Sequence, residues 1–250
     1  MVYLVFLAAI LPALVLVYFI YRKDKYEKEP IWVLLLGFFY GALSAVTVSL
    51  ISGPLQAIGF IPPEEDLSVS AQIMMAFFGA GIPEELIKFL FLFLLLHKNR
   101  YFNEYVDGIV YAVCIGMGFA AYENIQYLFA YYENWVEVGA MRAILTVPVH
   151  FFFAVTMGYF YSKARFGPIS DKKRNLALAI LLPIICHSLF DAILMVSHVA
   201  GVTGATIYLL FGLYIYMAGM SKARFEDHLA ADKRERDSAK VENDEPSNFG

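Results

Sequence analysis

Residues 81–96 read GIPEELIKFLFLFLLL, an apolar run that carries three ionisable side chains, Glu84, Glu85 and Lys88. A single charge at the centre of a bilayer costs about 2.5–3.5 kcal/mol on the insertion scale, so three together need pairing, a metal ion or a water-filled cavity. Residues three or four apart share one face of a helix, which places both glutamates beside Lys88. One glutamate can therefore neutralise the lysine while the other is free to act.

The composition places this run in a membrane protein. Hydrophobic residues make up 60% of the 250-residue chain and charged residues only 17%, whereas about a quarter of a soluble chain is charged. The two cysteines, Cys114 and Cys186, lie in separate apolar segments without CxxC spacing, so we expect reduced packing residues. Nothing in the composition suggests nucleic-acid binding, and the lipid bilayer is the expected surrounding.

Apolar runs of about 20 residues are long enough to cross a bilayer as helices. The chain is predicted to be an all-α, polytopic bundle forming one domain over residues 1–221. The seven predicted spans are 2–20, 31–53, 70–96, 108–130, 142–162, 174–198 and 203–221. Residues 222–250 are charged and have no sustained apolar face, so we expect a mobile cytoplasmic tail or a short surface helix.

Basic residues predict the orientation of the bundle, because short cytoplasmic loops are enriched in lysine and arginine. Such residues follow the first, third and fifth spans, whereas loops 54–69, 131–141 and 199–202 contain none. The amino terminus is therefore predicted to lie outside and the carboxyl terminus inside.

Four further polar residues lie inside apolar runs, at a similar predicted depth. Glu123 lies in GFAAYEN, His150 in TVPVHFFFAV, and His187 and Asp191 in IICHSLFDAILMV. They lie about seven to eleven residues below the outer ends of their helices, or roughly 10–17 Å. A common depth on separate helices predicts a shared site with the glutamate pair. Arg142 lies at the predicted outer boundary, where snorkelling explains it.

Carboxylates and imidazoles in a membrane cavity suit hydrolysis, which needs a base for water, an electrophile for the carbonyl oxygen and an acid for the leaving amine. The sequence contains no HExxH, serine-elbow or GxGD motif, so the usual zinc, serine and aspartyl arrangements are absent by motif.

Three short motifs in order resemble a known family. Residues 84–88 fit EExxK, residues 119–123 fit FxxxE and residues 187–191 fit HxxxD. Together they resemble the PrsW family of intramembrane proteases, which is distantly similar to CAAX prenyl endopeptidases and bacteriocin-immunity membrane proteins. The resemblance covers roughly residues 30–200. It implies an endopeptidase of the bacterial plasma membrane that cuts a single-pass substrate, such as an anti-sigma factor, on its extracytoplasmic side.

The resemblance and the residue chemistry together give a mechanistic hypothesis. Its predicted catalytic residues are Glu84, Glu85 and Lys88. Its predicted ligands for a divalent metal, zinc by preference, are Glu123, His150, His187 and Asp191. Zinc suits mixed nitrogen and oxygen ligands and lowers the pKa of bound water. A metal-free scheme, in which a glutamate activates water and a histidine stabilises the oxyanion, stays open.

Other functional classes also place ionisable groups in membranes. A proton-coupled transporter does so, although such folds usually contain an internal repeat that this chain lacks. A non-catalytic membrane partner would tolerate loss of either glutamate. A haem protein using His150 and His187 as axial ligands fits the spacing but leaves Glu123 and Asp191 unexplained.

Overall fold

The computed structural model describes residues 1–63, 65–201 and 203–244, and every regular element within these ranges is helical. The α-helices are α1 (Val2–Lys23), α2 (Ile31–Ala57), α3 (Val69–Met74), α4 (Ile82–Leu96), α5 (Tyr105–Ala130), α6 (Trp135–Met141), α7 (Val147–Phe166), α8 (Lys172–Ala200) and α9 (Thr203–Asp244). Two π-helical segments, Met75–Gly81 and Arg142–Thr146, lead directly into α4 and α7. The predicted all-α class is confirmed.

Five helical stretches within the described part of the chain are long and apolar enough to cross a membrane. They are Val2–Lys23, Ile31–Ala57, Tyr105–Ala130, Tyr132–Phe166 and Ile169–Ala200. The predicted spans 70–96 and 203–221 are not among them. Residues 69–96 are divided by the π-helical segment, which leaves α4 with 15 residues. The count of seven spans and the orientation of the termini stay predictions.

Helix α5 forms the centre of the bundle, where it packs against α7, α2 and α1. Most of its residues are buried on all sides. Close approach depends on glycines, because a Cβ at Gly118 would collide with the carbonyl oxygen of Phe38, and one at Gly158 with that of Gly108. Small residues let helix backbones approach closely in this way. The packing fixes α2 and α7 on either side of the helix that carries Glu123.

Helix α9 is much longer than the predicted last span. It continues to Asp244, so residues 222–244 extend the helix where we expected a mobile tail or a short surface helix, and residues 245–250 of that tail lie outside the described residues. The Asp232 carboxylate accepts hydrogen bonds from the backbone N–H groups of Tyr105 (2.6 Å) and Val106 (3.0 Å). The first N–H groups of a helix have no partner within it, so Asp232 satisfies two such donors of α5.

Asp232 belongs to a group of buried carboxyl residues around the beginning of α5. We call this group the cap cluster, and its members are Asp24, Glu29, Glu104, Asp107 and Asp232. Asp107 accepts hydrogen bonds from the N–H groups of Asn103 and Glu104, and Arg236 of α9 donates to Glu104. The sequence analysis did not identify this cluster, because its members come from three distant segments.

Candidate active site

Proline precedes the polar residues on three helices of the site. Pro83 lies one residue before Glu84 in the first turn of α4, and Pro148 lies two residues before His150 in the first turn of α7. Pro183 lies inside α8, four residues before His187. Proline has no N–H group to donate, so it is tolerated best in a first turn and interrupts the hydrogen bonding of a helix interior. The polar side chains therefore emerge next to irregular parts of the helical backbone.

A close contact between the start of α4 and α8 brings distant parts of the sequence together. A Cβ at Gly81 would collide with the Ser188 hydroxyl and lie 2.9 Å from the Ser188 nitrogen. This contact puts Glu85 within reach of His187, which follows it by 102 residues. Only glycine permits that approach.

The Lys88 ammonium group lies at the centre of the site. Its Nζ is 2.8 Å from Glu85 Oε1, 3.2 Å from Glu84 Oε2 and 3.4 Å from His150 Nδ1. It also lies 3.7 Å from the centroid of the Phe119 ring. The lysine side chain is buried, and its charge is compensated by the two carboxylates and the aromatic face.

The ring nitrogens of the two histidines make similar contacts. Each directs Nδ1 toward the glutamate–lysine group: His187 Nδ1 lies 2.9 Å from Glu85 Oε1, and His150 Nδ1 lies near Lys88. Each directs Nε2 toward another carboxylate, 3.0 Å from Glu123 Oε2 for His150 and 3.3 Å from Asp191 Oδ2 for His187. The ring centroids are 5.2 Å apart. A carboxylate on one ring nitrogen fixes the orientation of an imidazole and raises its basicity.

Arg142 also contacts the site, although the sequence predicted a snorkelling side chain at the outer boundary. It is buried, its Nη2 lies 2.8 Å from Glu123 Oε2, and its Nε donates to Asn124 Oδ1 at 2.7 Å. The guanidinium carbon also lies 3.9 Å from the Tyr127 ring centroid. The inward side chain follows from the π-helical segment at 142–146, whose register the sequence did not predict.

The structure thus brings all seven predicted site residues together with Arg142. We call this set the site cluster; its members are Glu84, Glu85, Lys88, Glu123, Arg142, His150, His187 and Asp191. Glu85 is 1% exposed along its side chain, whereas Glu123 and Asp191 are each 19% exposed. The cluster is therefore most accessible on the side of the two outer carboxylates.

The donor set suits a divalent metal ion. Among the described residues, ligand atoms of Glu84, Glu85, His150 and His187 lie within 4.8 Å of one another. This set shares both histidines with the predicted one but contains Glu84 and Glu85 in place of Glu123 and Asp191. Mixed nitrogen and oxygen donors are typical of zinc sites.

The charges of the cluster also agree with a divalent ion. Four carboxylates face two permanent cations, Lys88 and Arg142, which leaves a net charge of −2 when both histidines are neutral. One divalent cation would balance that charge. A buried charge that is not compensated is strongly unfavourable, so the cluster needs either a bound cation or protonated histidines to balance its carboxylates.

These features place the chain among all-helical membrane proteins with a buried site that combines carboxylates, imidazoles and a lysine. Comparison with known proteins agrees, since a family model described as PrsW family intramembrane metalloprotease matches residues 29–220. The chain belongs to the PrsW family, which confirms the resemblance seen in its motifs.

Curated relatives support the same assignment. A protein named Protease PrsW from Clostridioides difficile strain 630 is 38% identical over 195 residues, covering 77% of this chain and 80% of the relative. Its namesake from Geobacillus kaustophilus strain HTA426 is 32% identical over 218 residues, covering 87% and 89%. That of Bacillus subtilis strain 168 is 30% identical over 218 residues, covering 87% and 93%. No solved structure gives a significant match.

Proposed function

We propose that the protein is a metal-dependent intramembrane endopeptidase in which Glu84 activates water. The observation that carries this proposal is the convergence of two glutamates and two histidines within 4.8 Å in a buried part of the bundle. Family membership supports proteolysis in general.

Glu85, His150 and His187 are the proposed ligands, and Glu84 is the proposed base. Three protein ligands leave a position open for water or substrate, as in known catalytic zinc sites. Once bound, a divalent ion such as zinc polarises the scissile carbonyl and lowers the pKa of water. Glu85 is held by both Lys88 (2.8 Å) and His187 (2.9 Å), whereas Glu84 contacts Lys88 at 3.2 Å and His187 Nε2 only at 3.9 Å. Glu84 is also the more exposed of the two, so it is freer to exchange protons.

The proton steps use this chain's own side chains. The Glu84 carboxylate takes a proton from water as the water oxygen attacks the carbonyl carbon, and then gives that proton to the leaving amine nitrogen as the peptide bond breaks. Lys88 keeps Glu85 ionised and in place. Glu123, held by Arg142, orients His150, and Asp191 orients His187.

The proposed substrate is a single-pass membrane protein of the bacterial plasma membrane, such as an anti-sigma factor. The bacterial origin of the relatives supports that location. The greater exposure of Glu123 and Asp191 supports entry of the substrate backbone from their side of the cluster. Co-expression with candidate single-pass proteins tests this part of the proposal.

Replacing Glu84 by glutamine keeps the size of the side chain and removes the base, so we expect cleavage in proteoliposomes to fall about 10²–10⁴-fold. Glu137→Gln is the matched control, because Glu137 is an exposed acid outside the site, and it should retain wild-type activity. Thermal unfolding measured beside the assay checks that both variants fold. Full activity in folded Glu84→Gln would refute its role as the base.

A further inference from the structure

A sizeable cavity in the described part of the protein lies away from the site cluster, at the other end of the same helices. Its volume is about 610 Å³, and it is bordered by the end of α4, the end of α7 and the beginning of α8. Its apolar walls include Phe89, Phe93, Tyr161, Leu176 and Ile180. These residues are not members of the site cluster, so we consider what else the cavity could bind.

Two cations lie at the rim of this cavity. Arg165 is in the last turn of α7 and Lys172 is the first residue of α8, and both are exposed. Neither has an acidic partner among the described residues, whereas the nearby Arg174 forms an ion pair with Asp171 at 3.1 Å. The cavity lining itself contains no acidic residue. The rim is therefore complementary to an anion.

The distribution of polarity matches a molecule with one anionic end. Phe89 precedes His97, also at the rim, by eight residues, and Ile180 follows Lys172 by eight. Eight residues span about 12 Å of helix, which approaches the roughly 15 Å hydrocarbon depth of one leaflet. A free phosphate would leave these apolar walls without a partner.

We propose that this cavity binds one anionic phospholipid, with its phosphate between Arg165 and Lys172 and an acyl chain along Phe93 and Ile180. Basic residues at the boundary of a membrane attract anionic headgroups, while the apolar walls accept the chain. The bound lipid would connect the ends of α4, α7 and α8, the three helices that carry Glu84 and Glu85, His150, and His187. This inference does not depend on the proposed hydrolytic mechanism.

The first test is lipid retention by the full chain in detergent, measured by native mass spectrometry with phosphatidylglycerol or phosphatidylcholine. We expect wild type to retain one phosphatidylglycerol and to prefer it about tenfold or more over phosphatidylcholine. The double variant R165Q/K172Q should lose the preference. The matched control K173Q/R174Q removes the same charge from neighbouring residues that do not line the cavity, and it should keep the preference. Equal loss in both double variants would mean diffuse attraction and would overturn the proposal.

A second variant tests the apolar part without changing charge. Leu176→Trp should fill the cavity and lower phosphatidylglycerol retention about tenfold, while thermal unfolding without lipid shows whether the fold is intact. If the folded Leu176→Trp variant keeps full retention, the chain does not lie in this cavity and the proposal fails. Inorganic phosphate and glycerol phosphate should not compete at millimolar concentration; effective competition would indicate a site for free phosphate instead.

Discussion

The site cluster and the cap cluster are both buried and rich in acids, but they differ in what surrounds each carboxylate. In the site cluster every carboxylate contacts a lysine, an arginine or a histidine. In the cap cluster both carboxylate oxygens of Asp24 and one of Asp107 have no hydrogen-bond partner among the described residues. In the first cluster the cations and imidazoles lie next to the carboxylates and compensate their charge.

The cap cluster instead favours protonated carboxyl groups and backbone capping. Burial raises the pKa of Asp24 to about 6 and that of Asp232 to about 6, and burial together with the neighbouring Asp107 raises the pKa of Glu29. Desolvation disfavours the charged form of a carboxyl group, and few cations are available here to oppose it. The partners of a buried acid, and not its burial alone, therefore decide which of its protonation states is favoured.

The largest expected effect is the loss of a histidine of the site. His187→Asn should lower activity on the order of 10³-fold or more and reduce the metal content of purified protein, because the proposed imidazole ligand is lost. His228→Asn is the matched control, because His228 is buried near the beginning of α5 and forms a hydrogen bond with the backbone oxygen of Tyr159 at 2.9 Å. Elemental analysis and cleavage assays of both variants measure the difference.

Equal metal content in wild type, His187→Asn and His228→Asn would argue against a metal at the site cluster and would leave the metal-free scheme as the explanation of activity.

Arg142 should have a smaller effect, because it acts through Glu123 as a positioning residue. Arg142→Gln leaves Glu123 without its cation and should lower activity about 10- to 100-fold, and Arg142→Lys should recover part of the loss. Weaker metal retention, measured by titration with a chelator, separates positioning from a general loss of stability. Arg100→Gln, at an exposed arginine, is the control and should resemble wild type in both measurements.

Asp232 tests the structural role of the cap cluster. Asp232→Ala leaves the N–H groups of Tyr105 and Val106 without acceptors, so we expect a loss of about 1–3 kcal/mol in unfolding free energy. That corresponds to a melting temperature lower by a few degrees to about 10 °C. Asp237→Ala, at an exposed position on the same helix, should change it little. Activity well below the melting temperature should stay near wild type, in contrast to the site variants.

The pH dependence of stability gives the smallest effect. Because the pKa of Asp24 is higher in the folded protein, about 6, than its usual 3.8, the folded state binds the proton more tightly. Proton binding by Asp24 therefore raises the free energy of unfolding as the pH falls from about 7 toward 4. Above pH 6 the buried carboxyl group is ionised, which lowers the free energy of unfolding.

Asp24→Asn removes that titration, so it should be about 1–2 kcal/mol more stable than wild type at pH 7.5. The difference should shrink on acidification to pH 5. Parallel unfolding curves of the two proteins across this range would contradict the assigned role of Asp24.

The sequence predicted the all-helical class, and it predicted which polar residues of the apolar runs converge, because apolar runs interrupted by charges are a local signal. It also predicted that Glu84, Glu85 and Lys88 share a face, since helical periodicity fixes contacts within one helix. It did not predict Arg142 as a partner of Glu123, because a π-helical segment shifts the register by an amount that periodicity does not contain. It did not predict the extension of α9 either, because the buried residues of that extension are separated by charged ones and form no continuous apolar run.

Composition alone shows which segments are apolar enough for a membrane and which charges must find partners inside them. The pairings depend on how the helices pack: Glu85 with His187 across 102 residues, Glu123 with Arg142, and Asp232 with the beginning of α5. The free energy of placing a charge in an apolar segment depends on composition, whereas the contact between two helices depends on their rotation and separation, which close approaches such as that of Gly81 to Ser188 set.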